Sequence, residues 1–288
     1  MNALRSEHAI VGTRAIPDRS ILTPEALDFV SELVSTFRER IADLLAQRRA
    51  QRRRADAGER PLPLESTAWI READWHCAPV SPDLLHRPRT ITGAADRESM
   101  ARAIAAGCGV FVAQLDAAPL LESQGTLRDL VRGDLPAGAD APTAGIRRSM
   151  PAIVVRPRSL EATDPHLFVN RRPAPAALVD AGLFLFHNAP ALAGAGAGPY
   201  FYLSDVQSYQ EARLWNDIFL FAEARLALPI GTIKATVRIA TGGAAVQMNE
   251  ILFALRRHSA GLHGLLLDSS RLALVETCRR RGVPARVM

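Results

Sequence analysis

Residues 232–239 read TIKATVRI, and residues 245–257 read AVQMNEILFALRR. The first segment is a short run of mainly apolar and β-branched residues, which is typical of a buried strand. The second segment is longer and carries apolar residues at helical spacing, so it predicts a helix. A strand followed by a helix is the repeating unit of a parallel sheet covered by helices.

The same alternation begins at residue 107 and predicts an α/β fold. Further strands are expected at 110–115, 152–155 and 201–203, and further helices at 126–131, 177–186 and 210–227. Four or five strand–helix units are visible, whereas a complete eight-stranded barrel needs about 250 residues. We therefore expect a TIM-type (β/α) barrel that is incomplete on its C-terminal side.

A long amphipathic helix is predicted over residues 23–55. Thr23 suits the N-cap and Pro24 the first turn, and apolar residues recur every three or four positions from Leu27 to Leu44. The proline-rich segment 56–92 predicts an extended connection, and a helix is expected at 96–106. The chain is thus divided into a helical N-terminal arm with its connection, residues 1–95, and the incomplete barrel, residues 96–288.

The composition is that of a soluble globular protein, with 48% hydrophobic and 23% charged residues. No stretch approaches the roughly 20 apolar residues of a membrane span, and the N-terminus lacks a signal-peptide pattern, so no membrane partner is expected. The cysteines Cys77, Cys108 and Cys278 form no metal-ligand spacing. Cytoplasmic localisation is the simplest interpretation.

The net charge of +5 comes largely from five arginines between Arg48 and Arg54. A run of this kind can attract nucleic-acid phosphates. However, no aromatic residues lie between the arginines and no recognition motif follows. We interpret the run as a solvated helix end and expect no nucleic-acid partner.

Several strings together resemble malate synthase of the shorter, A-type form. They are STAWIREADWHCAP (66–79), IVVRPR (153–158), FLFHN (184–188), PYFYL (199–203), EARLWND (211–217), GTIKATV (231–237) and MNEILFALRRHSAGL (248–262). The resemblance implies a (β/α)8 barrel with helical segments before and after it. It also implies acetyl-CoA and glyoxylate as substrates, condensation to malate and CoA, and Mg²⁺ as cofactor.

The resemblance places the catalytic arginine at Arg156, at the end of a predicted strand, where barrel active sites lie. The alternative is an arginine that only pairs with a neighbouring acid. Arg158 is expected to be structural.

Most of the acidic groups that the resemblance implies are missing. A glutamate metal ligand is replaced by Ala240, whose methyl group cannot bind a cation. Of an Asp-Phe-Glu-Asp cluster only Asp116 remains, and a Pro-Lys-Leu-Glu string reads SDVQ at 204–207. Asp268 falls in register with a metal-binding aspartate of the family, although its surroundings differ. Asp116 and Asp268 are therefore the candidate Mg²⁺ ligands, and Mg²⁺ binding is doubtful.

The family's last strands, its C-terminal helical domain and the aspartate base within it are expected to be absent. Three hypotheses follow: a working acyltransferase, a non-catalytic module that binds an acid or CoA around Arg156, and a truncated product without function. An acyltransferase with weak or no activity is the central expectation. Unpaired strand edges in an unfinished barrel favour a homo-oligomer.

Other polar residues are expected to serve packing. His187 is interpreted as a packed histidine with a backbone partner, and His258 as a cation at a helix C-terminus. Lys234 in a buried strand needs a partner, for which Glu250 is the candidate. Packing roles are also expected for the tryptophans Trp69, Trp75 and Trp215.

Overall fold

The computed structural model describes residues 3–5, 9–12, 20–85, 89–134, 151–264 and 269–287. Two compact units are present. One comprises residues 1–36 and 81–201, and the other residues 37–80 and 202–288.

The helices and strands are numbered in chain order. The helices are α1 (Pro24–Asp56), α2 (Ala68–Glu72), α3 (Pro82–Leu85), α4 (Arg97–Ala105), α5 (Leu120–Arg132), α6 (Ala176–Gly194), α7 (Tyr209–Arg225), α8 (Gly242–Ala245), α9 (Met248–Ala254) and α10 (Ser269–Arg281), with a 3-10 turn at Glu65–Thr67. The strands are β1 (Ala3–Arg5), β2 (Ala9–Gly12), β3 (Thr90–Ala94), β4 (Val110–Gln114), β5 (Ala152–Arg156), β6 (Thr163–Val169), β7 (Arg172–Pro175), β8 (Tyr200–Leu203), β9 (Lys234–Ile239), β10 (Ser259–Gly264) and β11 (Ala285–Val287).

In the first unit, parallel strands run in the order β3-β4-β5-β8. Gln114 at the end of β4 lies opposite Arg156 at the end of β5, and Val155 lies opposite Phe201. The side chains of β4 are almost all buried. This register brings the carboxyl ends of β4 and β5 to the same edge of the sheet.

Helix α6 is the core helix of the first unit. Twelve of its residues are buried, and a Cβ atom on Gly182 would lie 2.9 Å from Val30 Cγ2, so α6 approaches α1 closely there. By length and composition alone α6 is apolar enough to cross a membrane. Because 67% of that apolar window is buried inside the protein, α6 has the character of a core helix.

A smaller antiparallel sheet also belongs to the first unit, with strand order β1-β2-β6-β7. These four strands were not predicted from the sequence pattern. They are short, and Pro165, Pro173 and Pro175 interrupt the apolar pattern of β6 and β7.

In the second unit, β10 pairs in parallel with β9 on one side and with β11 on the other. Leu262 lies opposite both Val237 and Ala285. At Gly261 the backbone has φ +111°, and a Cβ atom there would lie 2.1 Å from the carbonyl oxygen of Pro284. Only glycine allows β10 and the chain before β11 to approach this closely.

The second unit also contains a fully buried arginine near the end of α10. The Arg281 guanidinium donates to the carbonyl oxygens of Ile70, Arg71, Ala73 and Trp75 and to Asn249 Oδ1, over distances of 2.9–3.3 Å. Its Cζ atom lies 4.1 Å from the centre of the Trp75 ring. This side chain fastens α10 to the segment that follows α2.

The structure confirms the predicted α/β class, the long first helix and the predicted strands at β4, β5, β8 and β9. Thr23 caps α1 as expected, since its Oγ1 accepts from the amide of Ala26 at 3.2 Å. Two predictions are incomplete. Strand β3 begins within the segment 56–92, which also contains short helical turns, and residues 259–264 form the strand β10, which the sequence pattern did not predict.

Candidate functional site

Arg156 and Asp116 lie together at the carboxyl edge of the first unit's parallel sheet. The amide of Leu115 donates to the carbonyl of Arg156 at 3.2 Å, which holds the end of β4 against the end of β5. Arg156 Nη2 then donates to Asp116 Oδ2 at 2.7 Å. The side chains are 24% and 46% exposed, so a solute can reach this pair.

Arg158, two residues further on, has a different environment. It donates to both carboxylate oxygens of Asp180 on α6, over 2.7–3.1 Å, and to Asp164 at 2.8 Å. Asp180 is fully buried. The structural role predicted for Arg158 is confirmed, and its contacts fix the chain that follows Arg156.

At the described strand ends of the second unit, few carboxylates are left without an ion-pair partner. Ala240 follows β9 and is exposed, and Thr241 caps α8 through a bond from the amide of Ala244 to its Oγ1 at 3.2 Å. After β8, the carboxylate of Asp205 accepts from Arg48 Nη1 at 3.0 Å. Asp268 lies outside the described residues.

In the described part of the chain, neither the surroundings of Asp116 in the first unit nor those of Ala240 in the second present a ligand set for a Mg²⁺ ion. Magnesium prefers carboxylate oxygens with octahedral geometry. Asp116 is bonded to an arginine, and position 240 supplies only a methyl group. Within the described ranges, no group of three or more His, Cys, Asp or Glu side chains is placed to hold a cation.

A second polar group, which was not predicted from the sequence, lies in the second unit. Tyr202 Oη lies 2.6 Å from His263 Nδ1. His263 on β10 lies opposite Arg238 of β9 and Arg286 of β11. The alternation of Lys234, Thr236 and Arg238 with Ala235, Val237 and Ile239 signals a polar face of β9.

The solvated-end interpretation of the arginine run is wrong for its first residue. Arg48 is only 3% exposed, because it pairs with Glu211 and Asp205. The spacing contained the signal: Arg48 follows Ile41 and Leu44 on the buried stripe of α1. The other four arginines of the run are exposed, as expected.

The partner predicted for Lys234 and the role predicted for His258 are also wrong. Lys234 donates to the carbonyl of Arg257 at 2.9 Å and not to Glu250, which bonds Thr67 and Arg71. His258 is fully buried between Glu223 and Asn216, at 3.1 and 3.0 Å, so specific side-chain partners replace the predicted helix-end effect.

The packing roles of His187 and of the tryptophans agree with the sequence analysis. His187 Nε2 lies 2.7 Å from the carbonyl oxygen of Ile21. The rings of Trp69 and Trp75 both meet Phe253 edge-on at 5.1 Å, although Trp69 is 54% exposed, and Trp215 packs on Phe219.

Comparison with known families is specific. The profile described as "Malate synthase, TIM barrel domain" matches residues 152–270, and "Malate synthase, N-terminal domain" matches residues 6–69. The two together span more than half of the chain. The chain belongs to the malate synthase family.

Curated malate synthases extend the match. The Myxococcus xanthus enzyme is 42% identical over 250 residues, which cover 84% of this chain and 46% of that protein. Escherichia coli malate synthase A is 40% identical over 253 residues, covering 85% of this chain and 48% of that protein. The chain therefore spans about half the length of the curated relatives it matches.

Solved structures support the fold. Haloferax volcanii malate synthase in its lead(II) complex superposes with a TM-score of 0.51 at 14% identity, covering 69% of this chain and 60% of that one. Its magnesium/glyoxylate complex gives 0.51 at 14% identity, covering 70% and 63%. The predicted TIM-type barrel fold is confirmed by the family match, and the chain carries part of it.

Proposed function

We propose that this chain is a catalytically impaired malate synthase that binds a small carboxylic acid of the glyoxylate class at Arg156. The observation that carries the proposal is the Arg156–Asp116 pair at the carboxyl ends of β5 and β4. Active sites of barrel enzymes lie at this end of the strands. The guanidinium group is always charged and presents a fork that matches a carboxylate.

The exposure of the pair allows a ligand to compete with Asp116. Ion pairs between solvent-accessible groups contribute only about 0–1 kcal/mol. An incoming carboxylate can therefore exchange with the Asp116 side chain at small cost. Asp180 and Asp164 hold Arg158 and so keep the backbone beside Arg156 in place while that exchange occurs.

We propose impaired catalysis because no described residue is assigned as the base that removes the acetyl proton or as a ligand of the metal ion. Condensation of acetyl-CoA with glyoxylate removes a proton from the acetyl methyl group, and hydrolysis of the resulting thioester yields malate and CoA. Arg156 can orient the acid and stabilise negative charge on oxygen. Asp116 accepts a bond from Arg156, and Ala240 offers neither a base nor a metal ligand. Loss of a general base costs roughly a hundredfold to ten-thousandfold in rate.

Binding is tested by calorimetric titration of glyoxylate into the wild type and three variants. Arg156→Ala is expected to weaken binding at least tenfold. Asp116→Asn is expected to tighten it, because the amide competes less well for the guanidinium. Arg102→Ala is the matched control, since Arg102 is an exposed surface arginine on α4. Equal affinity in wild type and Arg156→Ala would refute the proposed binding site.

Turnover is tested by release of CoA from acetyl-CoA plus glyoxylate, with and without Mg²⁺. We expect a rate at least about a hundredfold below that of E. coli malate synthase A assayed alongside. A comparable rate that requires both Mg²⁺ and Arg156 would contradict the impairment. Binding without turnover would support a non-catalytic acid-binding module.

A further inference from the structure

Three positively charged or protonatable side chains form a row across β9, β10 and β11. His263 has Arg238 as its register partner on one side and Arg286 on the other. Neighbouring strands lie about 4.8 Å apart, and residues in register in a parallel sheet project to the same face. Burial lowers the pKa of His263, and the charges of Arg286 and Arg238 lower it further.

No acidic side chain balances this row in the described part of the chain. None of the ion pairs among the described residues involves Arg238, His263 or Arg286. The Nε atom of Arg238 is buried and bonds no described group. A buried donor without an acceptor destabilises a protein, and like charges side by side add to the cost.

Tyr202 orients the imidazole ring of His263. Its hydroxyl lies 2.6 Å from His263 Nδ1, with the ring centres 5.6 Å apart. When that hydroxyl donates to Nδ1, the neutral imidazole carries its proton on Nε2. The His263 Nε2–H and the two guanidinium groups then present hydrogen-bond donors along one face of the sheet.

We propose that Arg238, His263 and Arg286, oriented by Tyr202, form a binding site for a small oxyanion, either a carboxylate or a phosphate group. Planar guanidinium groups bind both kinds of oxyanion through paired, charge-assisted hydrogen bonds. The anion would bond the Nε atom of Arg238 and offset the repulsion along the row. The proposal stands independently of the site at Arg156.

The probes are inorganic phosphate and malonate, titrated into the full chain at constant ionic strength with chloride as the reference anion. Calorimetry gives the affinity, and thermal melting reports stabilisation. Arg238→Met removes the charge and Nε while keeping the aliphatic stem. Arg257→Met is the matched control, because Arg257 is an exposed arginine of the same unit.

At least one probe is expected to bind the wild type. Its affinity should fall at least tenfold in Arg238→Met and stay within twofold of wild type in Arg257→Met. Tight phosphate binding with weak malonate binding would identify a phosphate site, and the reverse order a carboxylate site. Without either probe, Arg238→Met is expected to melt no lower than wild type, since it relieves an unbalanced charge.

Wild-type affinity in Arg238→Met for both probes would overturn the proposal, and so would an equal loss in Arg257→Met. His263→Gln supplies a second variant and is expected to weaken binding as well. A loss confined to Arg156→Ala concerns the proposed function alone, whereas a loss confined to Arg238→Met concerns this site.

Discussion

Arg48 and Glu211 form a two-pronged ion pair, in which Nε donates to Oε1 at 3.0 Å and Nη2 to Oε2 at 2.8 Å. The two side chains are only 2% and 3% exposed. Loss of the Arg48 guanidinium leaves the Glu211 carboxylate buried without an opposite charge beside it, at a cost of roughly 3–5 kcal/mol. Arg48→Met is therefore expected to lower the free energy of unfolding by about that amount in urea denaturation.

The neighbouring residue supplies the control for this prediction. Arg49 is exposed, so Arg49→Met is expected to stay within about 0.5 kcal/mol of wild type. A similar loss of unfolding free energy in both variants would show that the buried ion pair contributes no more to stability than an exposed arginine does.

Glycine is required at position 261 but not at position 125. Gly261→Ala would place a Cβ atom 2.1 Å from the Pro284 carbonyl oxygen at φ +111°. We expect a loss of at least about 2 kcal/mol in unfolding free energy. Gly125 lies inside α5, where a Cβ atom would meet no other atom within 4 Å, so Gly125→Ala is expected to gain about 0.5–1 kcal/mol. A stable Gly261→Ala protein would contradict this account of β10.

The cysteines are expected to be unreactive in the folded protein. Burial raises the pKa of Cys77 to about 11 and that of Cys278 to about 12. Cys108 is buried as well. Because the thiolate is the reactive form, labelling by a disulfide reagent at pH 8 should be at least roughly a hundredfold slower than for free cysteine. All three thiols should react in denaturant, and fast labelling of the native chain would refute the prediction.

Stability should decrease on mild acidification because of His263. Its pKa in the folded chain lies below the ordinary value, so the unfolded chain binds more protons between the two values. The contribution is complete above about pH 6.5 and is lost as the pH falls from there to the folded pKa. Urea denaturation between pH 5 and 8 measures the slope. His263→Gln should flatten it, whereas His166→Gln, at an exposed position, should not.

Periodicity in the sequence predicted the main elements well where burial is one-sided or complete. The stripe from Leu27 to Leu44 predicted α1, and the apolar run of β4 predicted a buried strand. Strand β10 was missed because Gly261 and His263 interrupt its apolar pattern directly after a helix. It forms a strand because it pairs with β9, from which two short helices separate it, and with β11, which follows it after another helix.

The candidate site was predictable only in part. Local motifs led to Arg156, but the choice of Asp116 as its partner depends on the register between β4 and β5. The row through His263 needs three strands aligned to one register, a property that no local pattern of residues encodes. The partner of Lys234 is a backbone carbonyl, which every residue possesses and no sequence motif can mark.

The buried Arg281 has a consequence for the tolerance of this protein to mutation. Four of its five acceptors are main-chain carbonyl oxygens, and every amino acid supplies that group. Side chains along 70–75 can therefore be exchanged without erasing the acceptors, provided that the backbone keeps its course. The donor has no such latitude, since a lysine ammonium cannot reproduce the guanidinium fork. Substitution of Arg281 itself is thus expected to be poorly tolerated. Substitutions at the positions that supply its acceptors are tolerated as long as the backbone conformation is kept.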